Sequence, residues 1–118
     1  MSPSLDKFEC IYIGLDVYKR TISYCVKDVS GRIHREGSIP ATRIDLDRWM
    51  RTLLHPWMAA MEATVFTGWI YDHLVPHAAA VKVAHPLMLR AIAVAKNKND
   101  RIYANKICDC LRCDFLPE

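Results

Sequence analysis

A chain of 118 residues is long enough for one domain with a single core and too short for two. Its hydrophobic fraction of 52% and charged fraction of 25% are those of a globular protein and exclude a disordered chain. The formal net charge of +3 permits contact with phosphates but is well below that of a strongly basic nucleic-acid-binding arm.

The sequence contains no membrane-spanning pattern. No apolar run approaches the roughly 20 residues that such a helix needs, and the first residues lack the apolar core of a signal peptide. We therefore expect a cytoplasmic protein with no membrane partner. The five cysteines are expected to be reduced thiols, because their number is odd and no export signal precedes them.

The first half of the chain predicts a meander of three strands. Residues 1–8 are polar and contain proline, so we expect a frayed tail before a domain that spans residues 9–118. An apolar, β-branched run then delivers Asp16 at its end. Alternating patterns over 21–27 and 33–39, separated by turn residues, predict the second and third strands.

Helices and strands alternate in the second half. Amphipathic spacing predicts a helix over 41–54, with Thr42 as its N-cap. The later segments are a short apolar run of uncertain type at 57–64, a helix at 64–74, a buried strand at 78–84, a short helix at 86–95 and a last helix from Asp100 to about Cys113. This order indicates an α/β fold with a mixed sheet, an antiparallel three-strand meander and flanking helices.

Three carboxylates occupy positions where a site could form. Asp16 and Glu62 end two apolar runs, and Asp100 opens the last helix. Sites in open α/β sheets form at the carboxyl ends of strands. If the two strands are neighbours, their carboxylates converge and offer the oxygen ligands that suit Mg²⁺. Two such ions about 4 Å apart would clamp the attacking and leaving oxygens of a phosphodiester.

Basic residues flank these acids, and we expect them to contact the phosphates of a nucleic acid. They are Lys19, Arg20, Lys96, Lys98 and Arg101. The spacing leaves an alternative open, in which Glu62 and Asp100 are ordinary surface acids and helix caps. Trp49 and Trp69 fall on apolar helical faces and are expected in the core rather than in base stacking.

Four short motifs follow one another along the chain. They are Ile-Gly-Leu-Asp-Val-x-Lys at 13–19, Met-Glu-Ala-Thr at 61–64, Val-Ala-His-Pro at 83–86 and Asn-Asp-Arg-Ile-x-Ala-x-Lys-Ile at 99–107. Together they resemble the N-terminal domain of the DEDD-type insertion-sequence transposases, also called bridge recombinases. The resemblance covers nearly the whole chain, from about Ile11 to Glu118.

The resemblance implies a ribonuclease H-like (RuvC-like) fold. It also implies an enzyme that moves a mobile DNA element by site-specific recombination, is guided by a bridge RNA and assembles as a homo-oligomer. In the family, four acidic residues bind Mg²⁺ (or Mn²⁺), and a second domain carries a nucleophilic serine. Matched residue by residue, the first three acids are Asp16, Glu62 and Asp100, whereas the fourth position holds Tyr103.

Two departures from the family pattern lower the expected activity. Positions three apart share a helix face, so Tyr103 replaces a carboxylate beside Asp100 with a neutral phenol, which should weaken metal binding. We also expect the chain to lack the serine-bearing domain, which would come after Glu118, and therefore to be a half-enzyme that would not recombine DNA alone.

Two alternatives remain open. The chain could be a non-catalytic module that binds guide RNA or assembles the recombinase. Actin-like kinases and chaperone ATPases also begin with Ile-Gly-Leu-Asp and a hairpin, but residues 17–20 lack the glycine and threonine that cradle phosphates in those proteins. A separate feature, the cysteine group at 108–113, lacks the paired spacing of a zinc site, so we expect free thiols there.

Overall fold

A computed structural model of the chain describes residues 10–85 and 100–114, with side chains described throughout except at residues 100–102. The tail at 1–8 and the helix at 86–95, both predicted from the sequence, lie outside these ranges. Within them, no helix is long and apolar enough to cross a membrane.

The described residues form a five-stranded mixed sheet and three helices. The strands are β1 (Ile11–Val17), β2 (Thr21–Lys27), β3 (Ile33–Pro40), β4 (Trp57–Glu62) and β5 (Ala80–Ala84), and the helices are α1 (Arg43–Met50), α2 (Gly68–Leu74) and α3 (Asp100–Arg112). The sheet order is β3-β2-β1-β4-β5. The first three strands pair antiparallel, whereas β4 is parallel to both β1 and β5. The predicted α/β fold, with its mixed sheet and three-strand meander, is confirmed.

Two predicted helices are shorter in the structure. Thr42 is the N-cap of helix α1, as predicted, because its Oγ1 accepts a hydrogen bond from the Asp45 N–H at 3.0 Å. Helix α1 ends at Met50 rather than near residue 54. Just after this end, the Thr52 hydroxyl donates to the carbonyl of Trp49. Helix α2 begins at Gly68 rather than at residue 64, since the Thr67 hydroxyl donates to the Thr64 carbonyl at 2.9 Å and holds the preceding residues in a turn.

The sheet separates two unequal packing faces. Helices α1 and α2 cover one face, where Leu46, Ile70 and Leu74 join the large odd-numbered residues of β1 in one core. Helix α3 covers the other face over small residues, chiefly Cys25, Ala60 and Ala84. Since strand side chains alternate, the even-numbered residues of β1 face α3.

Gly14 brings the backbone of α3 into direct contact with β1. A Cβ atom at this position would collide with the Ala104 carbonyl oxygen and would lie 2.5 Å from the Cys108 backbone nitrogen. The Cys108 thiol also donates to the carbonyl of Tyr12 at 3.1 Å. Gly14 thus contacts Ala104, and the earlier residue Tyr12 of β1 contacts the later residue Cys108 of α3. The helix and the strand therefore run in opposite directions. Helix α3 therefore begins at the carboxyl end of β1.

The Gly14→Ala substitution should destabilise the fold by about 1–3 kcal/mol or more, because the atoms that obstruct the new methyl group belong to helix backbone. Gly68→Ala is the matched control, since no atom lies within 4 Å of a Cβ built there. That control should leave stability unchanged or raise it by up to about 1 kcal/mol. Urea unfolding monitored by circular dichroism measures both changes. Equal stability of the two variants would contradict the close approach.

Candidate acidic site and its surroundings

Asp16 and Glu62 lie on neighbouring strands. Strands β1 and β4 are parallel, and Leu15 pairs with Met61, so the two acids occupy the next position on each strand. Glu62 is the last residue of β4, and Asp16 lies one residue before the end of β1. Both acids are buried, with exposed fractions of 5% and 6%. The structure thus brings the first two predicted acids together at the carboxyl edge of the sheet, which is the edge where β1, β4 and β5 end.

Both acids belong to the sheet face that α3 covers. Asp16 is two residues from Gly14, whose missing side chain admits α3, and alternation places both residues on one face. On β4, Ala60 packs in a cluster with Ile107 and Leu111 of α3, and Glu62 is two residues further along. The acids therefore lie on the same side of the sheet as the helix that carries the remaining predicted positions.

The first turn of α3 contributes Tyr103. This residue is half-buried and packs against the cluster that contains Ala60 and Ala84. Ala84 pairs with Glu62 across β4 and β5, so Tyr103 belongs to the immediate surroundings of the acids. The backbone of Asp100 opens α3 about one turn before Ala104. The side chains of Asp100 and Arg101, and all of Lys96 and Lys98, lie outside the described part of the structure.

Two buried carboxylates fit a hard divalent cation. Among the described side chains, no group of three His, Cys, Asp or Glu residues lies close enough to hold a metal ion. Mg²⁺ is commonly held by one or two protein carboxylates, with water and substrate phosphate in its other positions. The oxygen donors of Asp16 and Glu62 suit that chemistry.

Lys19 and Arg20 are exposed at the same edge of the sheet. They form the tip of the β1–β2 hairpin, which is closed by a hydrogen bond from the Tyr18 N–H to the Thr21 carbonyl at 2.9 Å. This tight turn contains neither glycine nor a loop that could enclose a nucleotide phosphate. Their position is compatible with contacts to phosphates that approach Asp16 and Glu62 from solvent.

Lys27 attaches the middle of α3 to the sheet through an ion pair in which only the lysine is buried. Its Nζ donates to Asn105 Oδ1 at 2.8 Å and lies 2.5 Å from Asp109 Oδ1. The Lys27 side chain is only 6% exposed, whereas that of Asp109 is 39% exposed. Asp109 therefore helps to attach α3 to the sheet and lies away from the predicted metal site. No sequence motif identifies Lys27 as a structural residue. Its one distinguishing feature in the sequence is that it is a lysine at the end of an apolar strand.

The cysteines do not form a metal site in the described part of the chain. All five are free thiols, and the three on and after α3 diverge, since Cys108 and Cys110 are buried while Cys113 is exposed. A hydrogen bond with Cys25 and burial both raise the pKa of the Cys108 thiol. Burial raises the pKa of Cys110 as well. A raised pKa lowers the thiolate fraction, which makes these two thiols poorer nucleophiles and poorer metal ligands than an ordinary cysteine.

The Lys27–Asp109 pair should respond asymmetrically to mutation. Asp109→Asn leaves a buried ammonium without its counter-charge and should cost about 3 kcal/mol or more. Lys27→Met leaves a carboxylate that water already reaches and should cost about 1 kcal/mol or less. Urea unfolding of both single variants and of the double variant gives the order and the coupling energy. A larger cost for Lys27→Met would contradict this account of the pair.

Comparisons with known proteins assign no family to the chain. A scan against protein-family models finds no match, and a search of the curated proteins finds no significant match.

Proposed function

We propose that this chain is the ribonuclease H-like (RuvC-like) domain of a DEDD-type transposase. In this proposal an acidic site binds Mg²⁺ (or Mn²⁺) and acts on DNA phosphodiesters within a larger, RNA-guided recombinase. The observation that carries the proposal is the burial of Asp16 and Glu62 side by side at the carboxyl ends of neighbouring parallel strands. Two carboxylates are costly to bury, and acids in such environments are concentrated at functional sites.

The topology supports the ribonuclease H-like interpretation. An antiparallel meander is followed by two strands parallel to β1, which is the mixed sheet expected from the resemblance. Helix α3 runs antiparallel to β1, so the backbone of Asp100 returns to the end of the sheet where Asp16 lies. The third acid of the motif pattern is thus compatible with the same site.

Each group has a definable task in this site. Asp16 and Glu62 would hold the cation, and their burial fixes the carboxylates in place. When bound, the cation would neutralise charge on a phosphodiester and lower the pKa of bound water. Lys19 and Arg20 would bind neighbouring phosphates, while α3 shields one side of the acids from solvent.

Tyr103 favours a second candidate function. It is half-buried against the Ala60 and Ala84 cluster, so the position of the family's fourth acid is used for packing. A site that lacks this anionic ligand should bind metal weakly. This observation favours a non-catalytic module that binds guide RNA or a second copy of the chain and leaves phosphodiester chemistry to other parts of the assembly.

Titration of the 118-residue chain with Mn²⁺ and Mg²⁺ by isothermal calorimetry separates the two candidates. We expect weak binding by the native chain. The Tyr103→Asp variant should bind Mn²⁺ about ten-fold more tightly, because a third or fourth carboxylate adds negative charge to the site. Asp16→Asn and Glu62→Gln should each abolish binding.

Tyr71→Asp is the matched control for this titration. It makes the same chemical change at an exposed position of α2, on the other side of the sheet, and should leave metal affinity unchanged. If neither the native chain nor Tyr103→Asp binds either ion, the catalytic proposal fails and the non-catalytic module is favoured.

A further inference from the structure

Helix α1 begins beside the β1–β2 hairpin. Strand β3 runs parallel to β1 and ends at Pro40, and the Ala41 N–H then donates to the Arg20 carbonyl at 2.9 Å. Arg43 is the first residue of α1 and is exposed. The start of α1 therefore adds a third cation to Lys19 and Arg20 at the carboxyl edge.

Helix α2 brings an aromatic side chain to the same place. It follows β4 after a short turn, so it too begins at the carboxyl edge. The Arg43 guanidinium carbon lies 4.8 Å from the centroid of the Trp69 ring, within the range of a cation–π contact. Trp69 packs against the core but is only half-buried, which corrects the expectation that it belongs to the core alone.

Three large side chains with apolar surface are also exposed at this edge. Tyr18 lies on the hairpin, Ile44 follows Arg43, and Val65 lies in the turn after β4; all three are exposed. The nearest acid on α1, Asp45, is within 3.3 Å of Arg48 and accepts the Thr42 hydroxyl at 2.6 Å. The edge therefore combines cations with exposed aromatic and apolar groups.

We infer that this edge binds an unpaired segment of nucleic acid through a surface formed by Tyr18, Lys19, Arg20, Arg43 and Trp69, which we term the edge surface. Cations that track a backbone, together with aromatic rings that stack on bases, are the means by which proteins hold single strands. A duplex hides the faces of its bases and would use only the cations. The inference deepens the proposed function. It rests on that function in one respect, since a strand bound to the edge surface would lead across the edge to the acidic site at Asp16 and Glu62.

Arg43 and Trp69 are the central pair of the edge surface. The Arg43 guanidinium lies over the Trp69 ring, and Arg43 is nonetheless exposed. Its N–H donors can therefore reach a phosphate, and its planar group can stack on a base. Neither Arg43 nor Trp69 lies on the face that carries the two acids, so their roles can be tested without altering the acidic site.

Fluorescence anisotropy with three labelled 15-mer probes tests the inference: oligo-dT, oligo-U and a mixed-sequence DNA duplex. All titrations contain EDTA, so divalent cations do not contribute. We expect the native chain to bind single strands more tightly than the duplex. Arg43→Gln and Trp69→Leu should each weaken single-strand binding about five-fold or more. The dT and U arms distinguish a DNA strand from an RNA strand.

Matched controls separate local contacts from general effects. Arg48→Gln removes the same charge from the other end of α1, and Tyr71→Leu removes an exposed ring about 200° around α2 from Trp69. Both should keep native affinity. Trp69→Phe retains an aromatic face and should restore most of the binding, and thermal melts monitored by circular dichroism show that each variant is folded. Arg43→Gln should also lower the slope of log affinity against log salt by about 0.7, whereas Trp69→Leu should not.

Three results would overturn the inference. They are absence of single-strand binding by the native chain, preference for the duplex, and equal losses for Arg43→Gln and Arg48→Gln. Failure of this inference is distinguishable from failure of the proposed function. If the chain binds metal but no single strand, only the edge surface is contradicted. If it binds single strands in EDTA but never binds metal, only the acidic site is contradicted.

Discussion

The backbone of α3 rests directly on β1 because residue 14 has no side chain. This contact sets the height of the helix above the sheet, and the small residues of the flanking strands, Cys25, Ala60 and Ala84, match that height. Lys27 then fixes the helix along its length through Asn105 and Asp109. The distance between Tyr103 and the acids of the carboxyl edge depends on these two constraints together.

The two faces of the sheet serve different purposes. Against α1 and α2, large side chains such as Leu15, Trp49 and Ile70 form the main hydrophobic core. Against α3, the strands present small residues and two buried carboxylates. Most of the apolar burial thus lies on the face without the acids. The stability gained there offsets the free-energy cost of burying polar groups on the other face.

Part of this arrangement could be predicted from the sequence. Strand β1 is a β-branched apolar run, and β2 and β3 alternate in sequence, so the positions of all three were predictable to within a residue or two. The run at 57–62 was ambiguous because it is apolar on both faces, and only pairing with β1 makes it a strand. The start of α2 depends on hydroxyl hydrogen bonds between Thr64 and Thr67, which compete with helix formation and leave no trace in hydrophobic periodicity.

The site was less predictable than the fold. That Asp16 and Glu62 would meet followed from their places at strand ends, once the strands were assumed to be neighbours. The partner of Lys27 could not be inferred, since Asn105 and Asp109 lie far away in sequence and reach it only through the packing of α3. Trp69 has the spacing of a core residue, and hydrophobic periodicity does not reveal that it is half-buried and contacts Arg43 of another helix.

The attachment of α3 has a consequence for how the protein is made. The hydrogen bonds that tie this helix to the sheet join residues 78, 82 and 96 positions apart in the chain. The meander, by contrast, forms between strands that are consecutive in sequence. During synthesis from the N-terminus the meander can pair while the ribosome is still translating the later elements. The surroundings of the two acids are complete only after α3 has been synthesised, so the acidic site is among the last features of the domain to form.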